Sequence, residues 1–201
     1  MLTIGITGGT GSGKTTILEE IKKKFSKSDI GFISQDSYYN DNGNLSFEEK
    51  NKINFDHPEA VDFDLMINHL NLLKNGRDIN QPIYSFFDHN RTGKTELIEP
   101  KKIMVIEGLL ILTNKKLRDL IDVKVFVDSK SDLRFKRRLN RDINERGRSE
   151  EEVIELFNKR LNEMHKLYVE PMIKYCDIII DNNTNNSIEI DPLIKIIKNN
   201  L

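Results

Sequence analysis

Short, continuous apolar runs alternate with amphipathic stretches along this chain. Continuous apolarity is typical of strands that are covered on both faces, and its alternation with helical periodicity predicts βα units around a parallel sheet. The predicted strands are LTIGIT (2–7), IGFIS (30–34), IMVIE (103–107), KVFVD (124–128) and DIIID (177–181).

Two early stretches have the periodicity of amphipathic helices. Ile17, Ile21 and Phe25 recur every four residues and form one stripe of a helix over Thr15–Phe25. FDLMINHLNLLKNG repeats the pattern and stops at Asn75-Gly76, a helix C-terminal signal.

A third helical signal lies in the second half of the chain. Ser149 and Glu152 match a capping box, and the long helix that they start is predicted to run to the neighbourhood of Pro171, which ends or kinks it. The Asn-rich DNNTNNS is expected to form a surface loop before a last short helix.

One segment, QPIYSFFDHNRTGKTELIEP (81–100), breaks the alternation. It has β-forming residues on both sides of an Arg-Thr-Gly-Lys turn and no helical period. It predicts a β-hairpin, inserted at about 78–100 between the second and third core strands. Insertions at the C-terminal edge of a parallel sheet are common places for substrate pockets.

Composition changes this picture little. The 201 residues suit one domain over 1–201, and 31 Lys and Arg against 32 acids give a net charge of -1, which predicts neither a nucleic-acid nor a membrane partner. IMVIEGLLIL is too short and interrupted to span a bilayer, and Leu2–Thr7 runs directly into a Gly-rich loop, so no signal peptide is expected. The single cysteine, Cys176, is expected to be a small buried core residue in a reducing, cytoplasmic protein.

The Gly-rich loop GITGGTGSGKTT (5–16) satisfies the full phosphate-binding P-loop pattern, with a β-run before it and a helical stripe after it. Glycines let backbone N–H groups converge on phosphate oxygens, and the lysine adds a positive charge at the helix N-terminus. The loop therefore predicts a nucleoside triphosphate site. Its expected binding residues are Gly8, Gly9, Thr10, Gly11, Ser12, Gly13, Lys14, Thr15 and Thr16.

Two acids follow the second and third predicted strands. Thr15 is placed to ligate Mg²⁺, and Glu107 at the end of IMVIE is the candidate second ligand, although an acid there is often only a solvated cap. Asp36, in SQDSYY, lies where a carboxylate could take a proton from an acceptor hydroxyl that attacks the γ-phosphoryl group. An Asp followed by Ser is as often a turn or a helix cap.

Aromatic and polar residues occur together in two segments. In NFDHP, Asp56 could accept paired hydrogen bonds from a sugar diol while Phe55 supplies an apolar wall. In YSFFDHNR, Tyr84, Phe86 and His89 lie close together, as suits a planar polar heterocycle. An ordinary hairpin core would explain the Phe residues but not His and Tyr together.

Basic residues concentrate in RFKRRLNRDINERGR. Seven Lys or Arg stand against two acids from Arg134 to Arg148, and Gly147 provides a hinge. Guanidinium groups on such a segment suit a lid, at about 134–150, that closes over a transferring phosphoryl group. A solvated helix face and an RNA-binding patch are the alternatives.

At this point the chain resembles the uridine kinase (uridine–cytidine kinase) family of P-loop NTPases. GGTGSGKTT, SQDSYY, NFDHPEA, PIYSFFDHNR, IEGLLIL, RRLNRDINERGR and YCDIII occur in the family's order and rough spacing, over nearly the whole chain. The resemblance implies a three-layer α/β fold with a central parallel sheet, an inserted β-hairpin and a helical lid. It also implies ATP-dependent (or GTP-dependent) phosphorylation of the 5′-hydroxyl of uridine or cytidine in pyrimidine salvage, with Mg²⁺.

The resemblance also assigns roles. Asp36 is the implied catalytic base beside the P-loop lysine Lys14, and Asp36, Thr15 and Glu107 are the implied metal ligands. The implied ribose contacts are Asp56 and Arg138, and the implied base pocket is Tyr39, Phe55, Tyr84, Phe86 and His89. The implied lid arginines are Arg141 and Arg146, toward ATP, and Arg148, toward the substrate. Members of that family are often homotetramers with CTP or UTP as feedback inhibitors, so the resemblance implies a homo-oligomer such as a tetramer.

One stretch departs from the family pattern. Where relatives commonly carry Gln-Tyr after the lid, this chain has Leu156-Phe157, so affinity or base preference can differ. The alternatives are a phosphoribulokinase-like or pantothenate-kinase-like enzyme, which needs no aromatic base pocket, and an inactive ATP-binding regulatory protein, which needs no base. A GTPase is disfavoured because NKKL (114–117) lacks the Asp of a guanine reader.

Overall fold

The computed structural model describes residues 1–183 and 189–201, except for the side chains of Phe47, Asn51 and Arg146. All five predicted strands are present, to within one residue at either end. The strands are β1 (Leu2–Gly8), β2 (Ile30–Ser34), β3 (Ile79–Ser85), β4 (Asn90–Ile98), β5 (Ile103–Glu107), β6 (Val123–Asp128) and β7 (Ile178–Asp181). The α-helices are α1 (Lys14–Lys24), α2 (Phe47–Asn51), α3 (Phe63–Lys74), α4 (Lys115–Asp119), α5 (Ser131–Arg146), α6 (Glu150–Leu156), α7 (Asn162–Met164) and α8 (Asp191–Asn199).

Five strands form a parallel sheet in the order β2-β5-β1-β6-β7. Helices cover both faces, and β5 shows why its apolar run is continuous. Met104 and Ile106 pack into the core cluster that contains α3, whereas Ile103 and Val105 pack into the cluster that contains α1 and α8. A strand buried on both sides needs apolar residues at successive positions, and the predicted three-layer α/β fold is therefore confirmed.

Strands β3 and β4 form the predicted hairpin between β2 and β5 in chain order. The predicted turn was wrong. The chain reverses at Phe86–His89, where Ser85 Oγ donates to Asp88 Oδ2 at 2.7 Å. Arg91–Lys94 lies within β4, at an irregularity where Pro82 pairs with Thr95 but Tyr84 pairs with Arg91.

Gly93 explains this error. Its φ of 74° is a left-handed conformation that glycine adopts without steric cost. Such a glycine is equally suited to a hairpin turn and to a β-bulge. Here Gly93 is one of the unpaired residues of a bulge in β4.

The capping box of Ser149 is confirmed, since its side chain accepts from Glu152 N and the Glu152 side chain accepts from Ser149 N. Helical backbone then continues through α6, π-helical turns, α7 and a 3₁₀ stretch that ends at Tyr175. Pro171 lies in the first turn of that 3₁₀ stretch, so it changes the hydrogen-bond pattern close to the end of the run. Residues 184–188 of the predicted Asn-rich loop lie outside the described residues, and the last helix is α8.

Within the described ranges, no helix is both long and apolar enough to cross a membrane. Cys176 is only partly buried, at the margin of the core rather than inside it. Burial nevertheless raises the pKa of its thiol to about 12.

Candidate active site

The P-loop joins β1 to α1 in a conformation that only glycine suits. Gly8, Gly11 and Gly13 have φ values of 145°, 72° and 102°. A Cβ atom on Gly8 would lie 2.4 Å from the Val127 carbonyl oxygen, and one on Gly11 would lie 2.4 Å from the Arg134 carbonyl oxygen. The sequence pattern therefore reflects both backbone conformation and close packing.

Lys14 begins α1 and folds back over the loop. Its Nζ donates to the carbonyl oxygens of Gly8 at 2.8 Å and Gly9 at 3.1 Å. Burial lowers the pKa of Lys14, and the carboxylates of Glu107 and Asp36 act in the opposite direction. The charges of Lys14, Glu107 and Asp36 are therefore close enough to influence one another.

The three predicted metal ligands, Thr15, Asp36 and Glu107, line the same cavity as the P-loop. Strands β2 and β5 end in register, and Ser34 Oγ at the end of β2 donates to Glu107 Oε1 at 2.6 Å. Burial raises the pKa of Glu107, the nearby Asp36 raises it further, and Lys14 lowers it.

This donor set fits Mg²⁺, because hydroxyl and carboxylate oxygens are its preferred ligands and two neighbouring acids favour a cation. Among the described residues there is no cluster of three or more His, Cys, Asp or Glu side chains that could hold a metal. A cation at this place would therefore share its coordination with triphosphate oxygens, as is usual for Mg²⁺.

The predicted base-pocket residues form one connected aromatic cluster. Tyr39 contacts Phe55 and Tyr84 with ring centroids 5.2 Å apart in each pair, and Tyr84 contacts Phe86 at 5.6 Å. His89 stacks on Phe55 at 5.3 Å with an interplanar angle of 21°. The Tyr84 hydroxyl is buried with no hydrogen-bond partner in the described part of the chain, and burial raises its pKa.

Arg138, on α5, lies between the P-loop, Asp56 and Asp142. Its Nη1 donates to Thr10 Oγ1 of the P-loop at 2.8 Å and lies 4.0 Å from Asp56 Oδ1, and its Nε donates to Asp142 Oδ2 at 3.1 Å. Burial raises the pKa of Asp56, and the Arg138 charge lowers it. The two residues predicted to contact a ribose therefore lie side by side.

Side chains from the P-loop, the ends of β2 and β5, the aromatic cluster and α5 line one open cavity of about 1050 Å³. Most predicted site residues contribute to it, and the remaining ones fall into two groups. Gly8, Gly9 and Ser12 lie in the loop but not in the cavity lining, and the side chain of Arg146 is outside the described part of the chain. Leu156 lies on the wall with Ile53, whose carbonyl oxygen accepts from Arg160 Nη1 at 3.4 Å.

Sequence reasoning missed two residues behind the P-loop. Arg134 is 5 % exposed, and a Cβ atom on Gly9 would meet both its Nη1 and His165 Cε1 at 2.9 Å. Arg134 Nε donates to Ser129 O at 3.0 Å. In the sequence, Arg134 is one of a run of basic residues and His165 has no distinctive pattern around it, because the P-loop against which both pack is distant in sequence.

It also missed Arg91 and Asp142, each of which contacts site elements through hydrogen bonds. Arg91 Nε donates to the Tyr39 carbonyl oxygen at 2.9 Å, and Nη2 donates to Asp62 Oδ2 at 3.0 Å. For Asp142 a signal existed, because it follows Arg138 by four residues on a predicted helix, the spacing of a helical ion pair.

A P-loop, a carboxylate pair at the sheet edge and an arginine-bearing helix around one cavity define the class of P-loop kinases, which are phosphotransferases. The model of the phosphoribulokinase/uridine kinase family matches residues 3–189. The chain belongs to this family.

Curated relatives match almost the full chain. It is 47 % identical over 195 residues to the uridine kinase of Clostridium perfringens, covering 97 % of this chain and 94 % of that one. The uridine kinase of Halalkalibacterium halodurans is 46 % identical over 191 residues, covering 95 % and 90 %. A solved structure described as a possible uridine kinase from Bacillus stearothermophilus shares the fold, with a TM-score of 0.56 at 18 % identity, covering 89 % and 87 %.

Proposed function

We propose that this chain transfers the γ-phosphoryl group of ATP to the 5′-hydroxyl of uridine or cytidine, giving UMP or CMP and ADP. The observation that carries the proposal is the position of Asp36. It lines one cavity with Lys14 of the P-loop and with Tyr84 of the aromatic cluster, and its charge acts on the pKa of both. The names of the relatives support uridine as the acceptor.

In the proposed step, the nucleoside 5′-oxygen attacks the γ-phosphorus atom, the bond from that phosphorus to the β–γ bridging oxygen breaks, and the hydroxyl proton passes to Asp36. Lys14 stabilises the outer phosphates, and Arg141 and Arg148 stabilise charge from the lid. Thr15, Glu107 and Asp36 would hold Mg²⁺, which supplies neutralisation of phosphate charge when bound.

The acceptor is held by two groups of contacts. Asp56 and Arg138 bind the ribose hydroxyls, because a carboxylate can accept from both members of a diol while the guanidinium donates. Tyr39, Phe55 and His89 surround the base, because aromatic faces stack on a planar heterocycle and the imidazole adds a polar contact. This arrangement predicts discrimination in favour of a 2′-hydroxyl.

The proposal also covers the cellular location and the oligomeric state of the enzyme. We place the enzyme in the cytoplasm, where nucleosides and ATP are both available, and as a homo-oligomer such as a tetramer. Light scattering on the purified chain tests the assembly, and a monomer at micromolar concentration would contradict it.

The test of function is an acceptor panel with ATP and Mg²⁺: uridine, cytidine, adenosine, deoxyuridine, ribulose 5-phosphate and pantothenate. Turnover confined to uridine and cytidine is expected. Turnover of ribulose 5-phosphate or pantothenate in their place would assign a different reaction to the same scaffold, and no turnover of any acceptor would favour an ATP-binding regulatory protein.

A further inference from the structure

Asp142 is a fully buried carboxylate in α5, the helix that also carries Arg138 and Arg141. Its exposed fraction is 0 %, and it accepts charged hydrogen bonds from two arginines. Arg138 Nε donates to Oδ2 at 3.1 Å, while Arg141 Nε and Nη2 both donate to Oδ1, at 2.9 Å and 2.8 Å. Both carboxylate oxygens are therefore used.

The geometry fixes the direction of each guanidinium group. With Nε of Arg138 held by Asp142, its Nη1 reaches Thr10 of the P-loop and lies beside Asp56. Arg141 is held through the edge that carries Nε and Nη2, and the side chain lines the cavity. A planar guanidinium held at two donors has little freedom to rotate.

The backbone of the same residue anchors the end of the helix. Its carbonyl oxygen accepts from the N–H of Gly147, which has a φ of 65°, and from the N–H of Arg148 at 3.2 Å. Arg148 also lines the cavity. Asp142 thus contacts Arg138 and Arg141 through its side chain and Arg148 through its backbone.

The charge balance explains why an acid occupies a dry position. Burial of an isolated carboxylate is strongly unfavourable, and two adjacent guanidinium groups compensate it. The carboxylate also holds two long side chains in one conformation, so these side chains lose less conformational entropy when a ligand binds.

We propose that Asp142 is a positioning residue for phosphoryl transfer, which acts by presenting Arg138 and Arg141 to the cavity in fixed orientations. The proposal rests on the function proposed above. Asp142 needs no contact with substrate or nucleotide for this role, so its replacement should act through the arginines.

The test compares Asp142→Asn with wild type in uridine phosphorylation under Mg²⁺ and ATP. Asparagine keeps the size but removes the charge and one acceptor oxygen, so kcat is expected to fall by about ten- to hundredfold, the usual effect of losing an outer-shell orienting group. Asp132→Asn is the matched control, because Asp132 is an exposed acid in the first turn of the same helix, and it should retain wild-type kcat.

A double-mutant cycle separates positioning from folding. In an Arg141→Ala background, Asp142→Asn is expected to lower kcat by a smaller factor than in wild type, because one of the arginines that Asp142 orients is already absent. The same factor in both backgrounds would mean that Asp142 acts through the fold alone and would overturn the proposal, as would wild-type kcat in folded Asp142→Asn.

A second variant covers the case in which Asp142→Asn does not fold. Asp142→Glu keeps the buried charge but displaces the carboxylate by one methylene, so a folded Asp142→Glu protein should lose kcat in an Arg141-dependent way. Wild-type kcat in this variant would leave Asp142 a purely structural acid.

Failure of the proposed function would be recognised separately. If wild type phosphorylates no nucleoside, calorimetric titration with ATP replaces turnover as the readout. Weaker ATP binding by Asp142→Asn that disappears in the Arg141→Ala background would still support positioning, and unchanged ATP affinity would refute it.

Discussion

Arg91 donates from Nη2 to Asp62 Oδ2 at 3.0 Å, which joins β4 of the hairpin to the residue that caps α3. The same guanidinium donates from Nε to the Tyr39 carbonyl oxygen. Tyr84 and Phe86 are carried by the hairpin, whereas Tyr39 and Phe55 belong to the main body. Arg91 therefore sets the distance between the two halves of the aromatic cluster.

Replacing Arg91 should weaken acceptor binding more than ATP binding. Arg91→Ala removes charge-assisted hydrogen bonds whose loss is about 1.5–3 kcal/mol, so we expect KM for uridine to rise by about tenfold or more and KM for ATP to change little. Steady-state kinetics check this. Lys94→Ala, at an exposed position on the same strand, is the control, and an equal rise in both KM values would contradict the account.

Asp56 should determine sugar selectivity. Asp56→Asn keeps the shape but weakens acceptance from a ribose diol, so uridine turnover should fall by about tenfold or more while the smaller activity on deoxyuridine changes less. The ratio of kcat/KM for the two nucleosides measures this effect. If wild type already used deoxyuridine as well as uridine, the assignment of Asp56 to the ribose would be wrong.

Leu156 tests the departure from the family pattern. Leu156→Gln places a donor and an acceptor on the cavity wall beside Ile53, and one net hydrogen bond is worth about 1 kcal/mol. KM for uridine should therefore fall by about threefold to tenfold, with little change in kcat. Ile154→Gln, two residues earlier and 37 % exposed, is the matched control. An unchanged or higher KM for uridine would mean that the side chain at position 156 forms no favourable contact with the acceptor.

His165 should make stability sensitive to mild acid. Burial lowers its pKa from 6.5 to about 4, with nearby Arg134 acting in the same direction, so the fold favours the neutral imidazole. The part of the unfolding free energy that depends on the neutral imidazole is fully present above pH 6.5. It declines as the pH falls through that value and is lost by about pH 4.

Urea unfolding of wild type and His165→Gln between pH 4 and pH 8 measures that dependence. The variant should show a shallower loss of unfolding free energy below pH 6.5, and the comparison at pH 8 isolates the effect of packing. Some slope should remain, because burial also lowers the pKa of His69. If the unfolding free energy of both proteins changed equally with pH, His165 would not be the source of the acid sensitivity.

Much of the architecture could be predicted because it depends on local patterns. The apolar run of β5 and the capping box of Ser149 each specify their element within a few residues. The hairpin turn could not be predicted in the same way. Phe87 reads as a β-former, yet it lies in the turn with 87 % of its surface exposed, and Gly93 serves a bulge instead.

In the candidate site too, residues near strand ends could be predicted, whereas contacts between distant residues could not. Lys14 follows β1 through the P-loop and Asp36 follows β2 by two residues, so the ends of these strands predict their positions. Arg134 and His165 meet at the P-loop although they are 31 positions apart, and no local signal connects them. Contacts of that kind depend on the packing of the completed fold.

The most direct test of the central claim is UMP formation from ATP and uridine by wild type and by Asp36→Asn, with Mg²⁺ present. Mass spectrometry identifies the product as a uridine monophosphate, and co-elution with authentic 5′-UMP identifies the phosphorylated hydroxyl. Equal ATP affinity by calorimetry confirms that the variant retains its nucleotide site. The account predicts UMP from wild type and a loss of about a hundredfold or more in the variant, the usual contribution of a general base. Undiminished UMP formation by Asp36→Asn, or none by wild type, would contradict it.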